Sequence, residues 1–390
     1  MLRSLYSGIS GLRSHQTMLD VTGNNIANVN TTAFKSGAVQ FEDTLSQLVR
    51  GAGGPGAQAG GTNPAQIGLG VLVAGISTNF TQGAAQATGR STDIMINGDG
   101  FFAVNVGGQI QYTRAGSFDP DAQGRLVGPG GAILQGWNAV NGVVQQGGAL
   151  TDVTIPLKAV TPAAATSAAS VSGNLPSTAA VGDQLVRDVK VYDPNGASRD
   201  LTLTFTRTAG GWDVAGVDAN GATANSTLTF TNGVLTAGGS LPIGGITVDL
   251  STVTGYADLT TVAFKDQNGK QAGTLQSFTL SQDGTLIGLF SNGDKQSVGR
   301  IALATFVNPG GLEKAGGSNY RQSVNSGNAQ LGGPGEGGFG TLQGGSLEMS
   351  NVDLSQEFTN LIVAQRGFQA NARIITTSDE VLQELTNLKR

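Results

Sequence analysis

The sequence predicts a mainly β protein with an α-helix at each end, its domains nested inside one another. Three observations carry that expectation. Both termini space apolar residues three and four apart, the period of an amphipathic helix. The middle alternates apolar residues with Thr and Ser and is punctuated by Asn-Gly pairs, as strands and tight turns require. Two Gly-rich stretches, 51–61 and 332–345, set the ends apart from the middle.

The first helix is expected over residues 2–29. Leu2, Leu5, Ile9, Leu12, Leu19 and Ile26 share one heptad-like register, with Gln16 and Gly23 in the remaining positions. The second is expected over 352–388. Leu354, Phe358, Leu361, Phe368, Ala372, Ile375 and Leu382 share a register broken by Gln365 and Asp379, and Val381, Leu385 and Leu388 widen the stripe. Asn351 or Asp353 is placed to cap its start. Gly8, Gly11 and Gly23 each cost about 1 kcal/mol relative to Ala inside a helix. Neither helix is therefore expected to stand alone. The aliphatic and aromatic residues of the two registers, Ala372 aside, form a candidate polymerisation seam. A monomer whose ends merely clasp each other satisfies the same periodicity. The length of the helices, with no helical pattern between them, favours bundling between chains.

Strands are expected across about 70–345. Val71–Phe80 mixes apolar and hydroxyl residues. Residues 94–96 and 101–104 flank a turn at Asn97-Gly98-Asp99-Gly100. Leu201-Thr202-Leu203-Thr204-Phe205-Thr206 and Leu228-Thr229-Phe230-Thr231 alternate, and Asn195-Gly196, Asn232-Gly233, Asn268-Gly269 and Asn292-Gly293 mark turns. Phe118 followed by Gly124-Arg125-Leu126, and Phe278 followed by Gly284-Thr285-Leu286, read as equivalent hairpins on either side of an insertion. The Ala/Ser/Thr/Pro-rich residues 159–180 lie near its start. The expected layout is a helical core and polymerisation domain (1–34 and 350–390), a Gly-rich connector (35–70), a split β domain (71–146 and 274–349) and an inserted outer β domain (147–273). The glycine stretches read as flexible or closely packed connectors.

Composition narrows the function. Only 13% of the 390 residues are charged, and the net charge is −5 without a Lys/Arg cluster, so the footprint for nucleic acid is missing. There is no Cys, which excludes disulfides and thiolate metal sites. No apolar run reaches 18 residues, so no membrane insertion is expected. Residues 1–30 lack the apolar segment of a signal peptide; an exported chain of this kind would use another route.

The residues of chemistry are sparse. His15 is the only histidine, too little for a multi-His metal site or a local nucleophilic triad. Asp119–Gly124 resembles the start of a calcium loop, but Gly130 stands where a bidentate Glu is needed, so a turn is expected. The only Gly-Lys pair, Gly269-Lys270, is followed by Gln271, and Gly68-Leu69-Gly70 lacks the third glycine of a dinucleotide fingerprint. Nothing singles out a carboxylate pair for glycoside hydrolysis, and the few aromatics make a poor sugar platform. No catalytic residue, metal or cofactor is expected. A secreted carbohydrate-binding or carbohydrate-acting β protein is the alternative from a different class.

Three segments carry a resemblance. They are Asn24-Asn25-Ile26-Ala27-Asn28-Val29-Asn30-Thr31-Thr32-Ala33-Phe34-Lys35; Phe80-Thr81-Gln82-Gly83 with Gly98-Asp99-Gly100-Phe101-Phe102; and Ser350-Asn351-Val352-Asp353-Leu354-Ser355 with Ile362-Val363-Ala364-Gln365-Arg366-Gly367-Phe368-Gln369-Ala370-Asn371-Ala372. In combination they resemble the bacterial flagellar rod and hook family over essentially the whole chain. Asn24, Asn25, Ala27, Asn28, Phe34, Lys35, Asn351, Asp353, Gln365, Arg366 and Asn371 stand for its signature. The large insertion, Val191-Tyr192-Asp193-Pro194-Asn195-Gly196 and the run 375–382 resemble the hook members, whereas the distal rod member is similar at both ends but shorter. One departure is Ala33, where the family commonly has Gly, and an alanine there restricts left-handed backbone.

The resemblance implies a structural subunit rather than an enzyme. Copies would assemble helically with the terminal helices innermost and the insertion outermost, forming a curved extracellular tube that bends while passing torque from rod to filament. It implies self-association, contacts with the distal rod, the hook cap and the hook–filament junction proteins, and passage through the type III export apparatus.

Overall fold

The structure is a computed structural model that describes residues 2–56, 60–140, 142–156 and 158–387. Among these residues it is mainly β with two α-helices, α1 (Leu2–Ala27) and α2 (Leu354–Asn387). The chain divides into two compact units. The first comprises residues 1–155, 279–287 and 297–390; the second comprises 156–278 and 288–296.

In the first unit α1 stops where Asn28 turns its side-chain amide back to the Asn24 carbonyl (2.9 Å). Strands β1 (Gly37–Asp43), β2 (Ser46–Arg50), β3 (Ala65–Gly68) and β4 (Val71–Thr78) follow, β1 pairing antiparallel with β4 and β2 with β3. The stretch 35–70 thus contains three strands, β1 pairing with β4 just beyond it and β2 with β3. Its glycines obscured Val39, Phe41, Leu48 and Ile67, which give it β character. Residues 57–59 of the expected connector lie outside the described residues.

Further strands pair across the expected split. Ile94–Asn97 pairs with Thr341–Gly344, Ala85–Ala87 with Ser346–Glu348, and Phe101–Val106 with Leu303–Thr305 beside its own hairpin partner Gln109–Thr113. In the stretch 332–345 turns at 333–340 lead into the strand Thr341–Gly344, and part of it is closely packed: a Cβ on Gly333 would stand 2.5 Å from the Arg300 guanidinium. Phe101, Tyr112, Phe306 and Tyr320 form an aromatic core joined by edge-on contacts. The loops at 121–125 and 281–285 have equivalent hydrogen bonds: Gly124 N–H donates to the Asp121 carbonyl and Gly284 N–H to the Ser281 carbonyl. Asp121 pairs with Arg125 and accepts from the Gln123 N–H, so it builds a turn.

The second unit contains a nine-stranded sheet. In Ser198–Thr208 the alternation expected from sequence holds: Leu201, Leu203 and Phe205 are buried and the intervening threonines half-buried. They pack on Trp212, Val214, Val248 and Leu250. Asn232 and Gly233 both take positive φ, 53° and 81°, as a two-residue type I′ hairpin turn demands.

Candidate functional site at the paired chain ends

The two helices run antiparallel, and they meet through small residues. Gly8 lies against Ile375, Gly11 against Asn371, and Gly367 against His15. A Cβ on Gly11 would sit 2.6 Å from the Asn371 amide oxygen, and one on Gly367 would be 2.5 Å from the His15 ring. The buried positions of α1 are Gly8, Gly11, Ser14, Thr22 and Asn25; those of α2 are Glu357 and Ala364. Losing the side chain lets the backbones approach, which outweighs the helix propensity that glycine forfeits.

The residues of the expected polymerisation seam flank this contact within the chain rather than forming it. Leu5, Ile9, Leu12, Leu19 and Ile26 are half-buried beside the contact, as are Leu361, Phe368, Ile375 and Leu382. Leu354 and Phe358, also of the expected polymerisation seam, face solvent in the single chain, 39% and 51% exposed. The side chain of Leu2, and Leu388, lie outside the described residues. Tyr6, Ile362, Val363 and Ile374 add to the exposed apolar surface of the pair. The small-residue register was the signal available in sequence. It went unread because glycines in a helix were counted as costs.

Below the helices the signature residues tie three chain segments together. Asn25, 1% exposed, accepts from the Gly37 N–H (3.0 Å) and donates to the Gly37 carbonyl (2.8 Å) and the Glu357 carboxylate (3.0 Å). Asp353 caps α2, accepting from the Ser355 N–H at 2.9 Å and the Gln356 N–H at 3.3 Å. Asn351 instead accepts from the Ser36 N–H and donates to the Asn79 and Thr81 carbonyls. Phe34 packs under the Lys314 ammonium, 5.4 Å from its ring centre. Asn371 bonds the Gly367 carbonyl within α2. Asn24, Ala27, Gln365 and Arg366 are exposed and Asn28 is half-buried.

Lys35 is wholly buried. Its ammonium donates to the Thr81 carbonyl (2.7 Å) and to Glu348 Oε1 (2.6 Å), which also accepts from the Gly83 N–H (2.8 Å). Arg114 stands 3.5 Å from the other Glu348 oxygen and stacks over Phe101. Burial lowers the Lys35 pKa, and the Glu348 carboxylate opposes that shift. Burial, aided by the Glu348 charge, pushes the Tyr320 hydroxyl up to about 12. Glu348 and Arg114 escaped the sequence reading because neither lies in a segment with a readable motif.

Among the described residues no group of three or more His, Cys, Asp or Glu side chains is placed to hold a metal ion. No helix among the described residues is long and apolar enough to cross a membrane. What the chain ends offer is two long helices joined at a glycine-lined contact, anchored by buried polar side chains, with large apolar side chains left outside.

Three family models match along the chain: "Flagella basal body rod protein" at residues 5–35, "Flagellar hook protein FlgE/F/G D1 domain" at 95–172 and "Flagellar basal body rod FlgEFG protein C-terminal" at 343–388. Among curated proteins, the chain is 39% identical to the flagellar hook protein FlgE of Borreliella burgdorferi, covering 100% of both. It is 37% identical to FlgE of Salmonella typhimurium, over 99% of this chain and 100% of the relative. It is 36% identical to the flagellar basal-body rod protein FlgG of Bacillus subtilis, again over 100% of both.

Proposed function

The chain belongs to the flagellar hook and basal-body rod family, and from that premise we propose that it is a structural subunit of the bacterial flagellar hook. The observation that carries the reading is the exposed apolar surface of the helix pair. Phe358, Ile362 and Val363 of α2 and Tyr6 of α1 remain in water although the helices are already paired. Burying a side chain of this kind is worth about 1.5–3 kcal/mol. Further copies supply that burial when contacts repeat without closing, which produces a helical polymer.

In the polymer the helical ends (1–34 and 350–390) form a coiled-coil-like inner wall. The split β domain lies outside it and the inserted β domain outermost. The product is a curved tube that bends while transmitting torque, a universal joint between rod and filament. Few surface ion pairs would have to break as neighbouring subunits slide, because only 13% of residues are charged. The subunit meets the distal rod at one end and the hook cap, then the junction proteins, at the other. It reaches the cell exterior unfolded through the type III export apparatus. The chain works as a scaffold, without catalysis.

Electron microscopy of polymer grown from the purified full chain tests the reading. Curved tubes are expected. Straight tubes would assign the chain to the distal rod, and persistent monomer would overturn the polymer reading.

A further inference from the structure

We infer that the last two turns of α2 in one copy seat in the cleft beside Lys314 of the next copy. The inference rests on the assembly reading above and specifies one of its contacts.

The free end is defined by the register of the helix pair. Asn25 meets Glu357, His15 meets Gly367, Gly11 meets Asn371 and Gly8 meets Ile375. Each step along α1 is matched by an equal step back along α2. Leu2 therefore lies level with about residue 380, and the final residues of α2, 381–387, extend past the start of α1. On this overhang Val381, Glu384 and Leu385 occupy positions i, i+3 and i+4, which share one face. All three are exposed. The face offers two aliphatic side chains and one carboxylate.

The cleft lies at the opposite end of the helix pair, beside the last turns of α1. It has a volume of about 480 Å³ and is lined by Val21 of α1, Ile76 of β4, Leu312 and Lys314. Its walls are mixed: Thr17, Asn24, Asn25 and Thr78 stand among the aliphatic residues, and Lys314 brings a cationic side chain to its edge. Lys314 forms no ion pair among the described residues; its one recorded partner is the Phe34 ring. The exposed Asp20 also lines the cleft and sets which side an incoming carboxylate must avoid. Glu384 and Lys314 are opposite in charge, and Val381 and Leu385 find Val21, Ile76 and Leu312 in a cleft of mixed polarity. They sit at opposite ends of one element, so one copy cannot satisfy both, and repetition gives a head-to-tail, non-closing row.

The chain has no cysteine, which permits a direct test in the full-length protein. Lys314→Cys with Glu384→Cys, polymerised and then oxidised, should give a ladder of crosslinked oligomers on a non-reducing gel. Neither single variant should give more than a dimer. A tube that forms normally yet runs as monomer would overturn this contact and leave the polymer reading intact. Failure of the unmodified chain to polymerise would overturn both. Charge reversal is the second arm. Lys314→Glu and Glu384→Lys should each raise the critical concentration at least ~10-fold, and their combination should restore most of it. A double variant no better than the singles counts against the pairing.

Discussion

The Lys35 ammonium and the Glu348 carboxylate meet at 2.6 Å with neither side chain exposed, across 313 residues of sequence. This pair joins the segment leaving α1 to the segment entering α2, and the Gly83 N–H and Thr81 carbonyl bind it to the intervening strand region. Removing one partner leaves the other charge buried, a loss of about 3–5 kcal/mol. Glu348→Ala strands two cations, Lys35 and Arg114, and should be the worse of the two substitutions. The chain's two tryptophans report separately, Trp137 from the first unit and Trp212 from the second. In a Trp212→Phe background, denaturation followed at Trp137 should show the destabilisation. A wild-type midpoint for Glu348→Ala would refute a structural role for the pair.

Tyr320 gives a pH dependence. The residue is 3% exposed, and its hydroxyl ionises near pH 12 in the fold, against about 10 in an unfolded chain. Below pH 10 both states hold the proton and this group contributes no slope. Between about 10 and 12 the unfolded chain loses the proton first, so stability falls as pH rises. The loss is on the order of 2–3 kcal/mol by pH 12. Lys35, whose pKa is lowered, acts oppositely: the fold sheds its proton before the unfolded chain does, so its contribution improves from its depressed pKa up to 10.5. Tyr320→Phe should flatten the fall above pH 10 while leaving any gain below it. Equal alkaline slopes for the variant and the parent would contradict this assignment.

Ala33 sits in left-handed backbone, φ 56°, and is 1% exposed. An L-residue there costs about 1–2 kcal/mol, whereas losing a buried methyl costs about 0.8 kcal/mol. The two nearly offset, so Ala33→Gly should change stability by less than about 1 kcal/mol. Ala33→Val has no such compensation, because a branched side chain meets both the strained backbone and a filled site. It should lose about 2 kcal/mol or more. Thermal unfolding of the two variants decides the matter, and a tolerated valine would show that the loop adjusts.

Much of the fold was legible because its signals are local. The period-2 run 201–206 and the Asn232-Gly233 turn state their own geometry. The helices were legible for the same reason, but their facing was not. An apolar stripe names a preferred face without naming the partner that covers it. In α1 the inner partner is a helix that approaches through Gly8 and Gly11, so leucines fall to the flanks. The anchoring node was half visible. Lys35 and Asn351 lie in recognisable segments, while Glu348 and Arg114 acquire meaning only when distant strands converge.

Gly11 and Asn371 provide a coupled test of that contact. Ala is the better helix former by about 1 kcal/mol, yet its Cβ at position 11 would press on the Asn371 amide at 2.6–2.9 Å. Asn371 cannot yield without straining its bond to the Gly367 carbonyl. Gly11→Ala alone should destabilise the helix pair by about 1 kcal/mol. Combined with Asn371→Ala it should become more stable than the parent, a clear departure from additivity. Helicity by circular dichroism during heating measures it, and additive effects would mean that the helices are not held at this distance.

Phe358 separates packing within the chain from assembly between chains. At 51% exposure it is half covered in the isolated fold, so Phe358→Asp should cost the monomer only about 1 kcal/mol. In a polymer that covers this face, the same carboxylate is buried without a partner and costs several kcal/mol. Polymerisation should therefore fail while the monomer keeps its circular dichroism and melts only slightly lower. Ala364→Asp is the counterpart. Ala364 is fully buried within one chain, so its variant should damage the monomer first. Sedimentation of both variants beside their melting curves distinguishes the two faces of α2. Normal polymer from Phe358→Asp would place the assembly contact elsewhere on the helices, with Ile374 and Val381 the next residues to change.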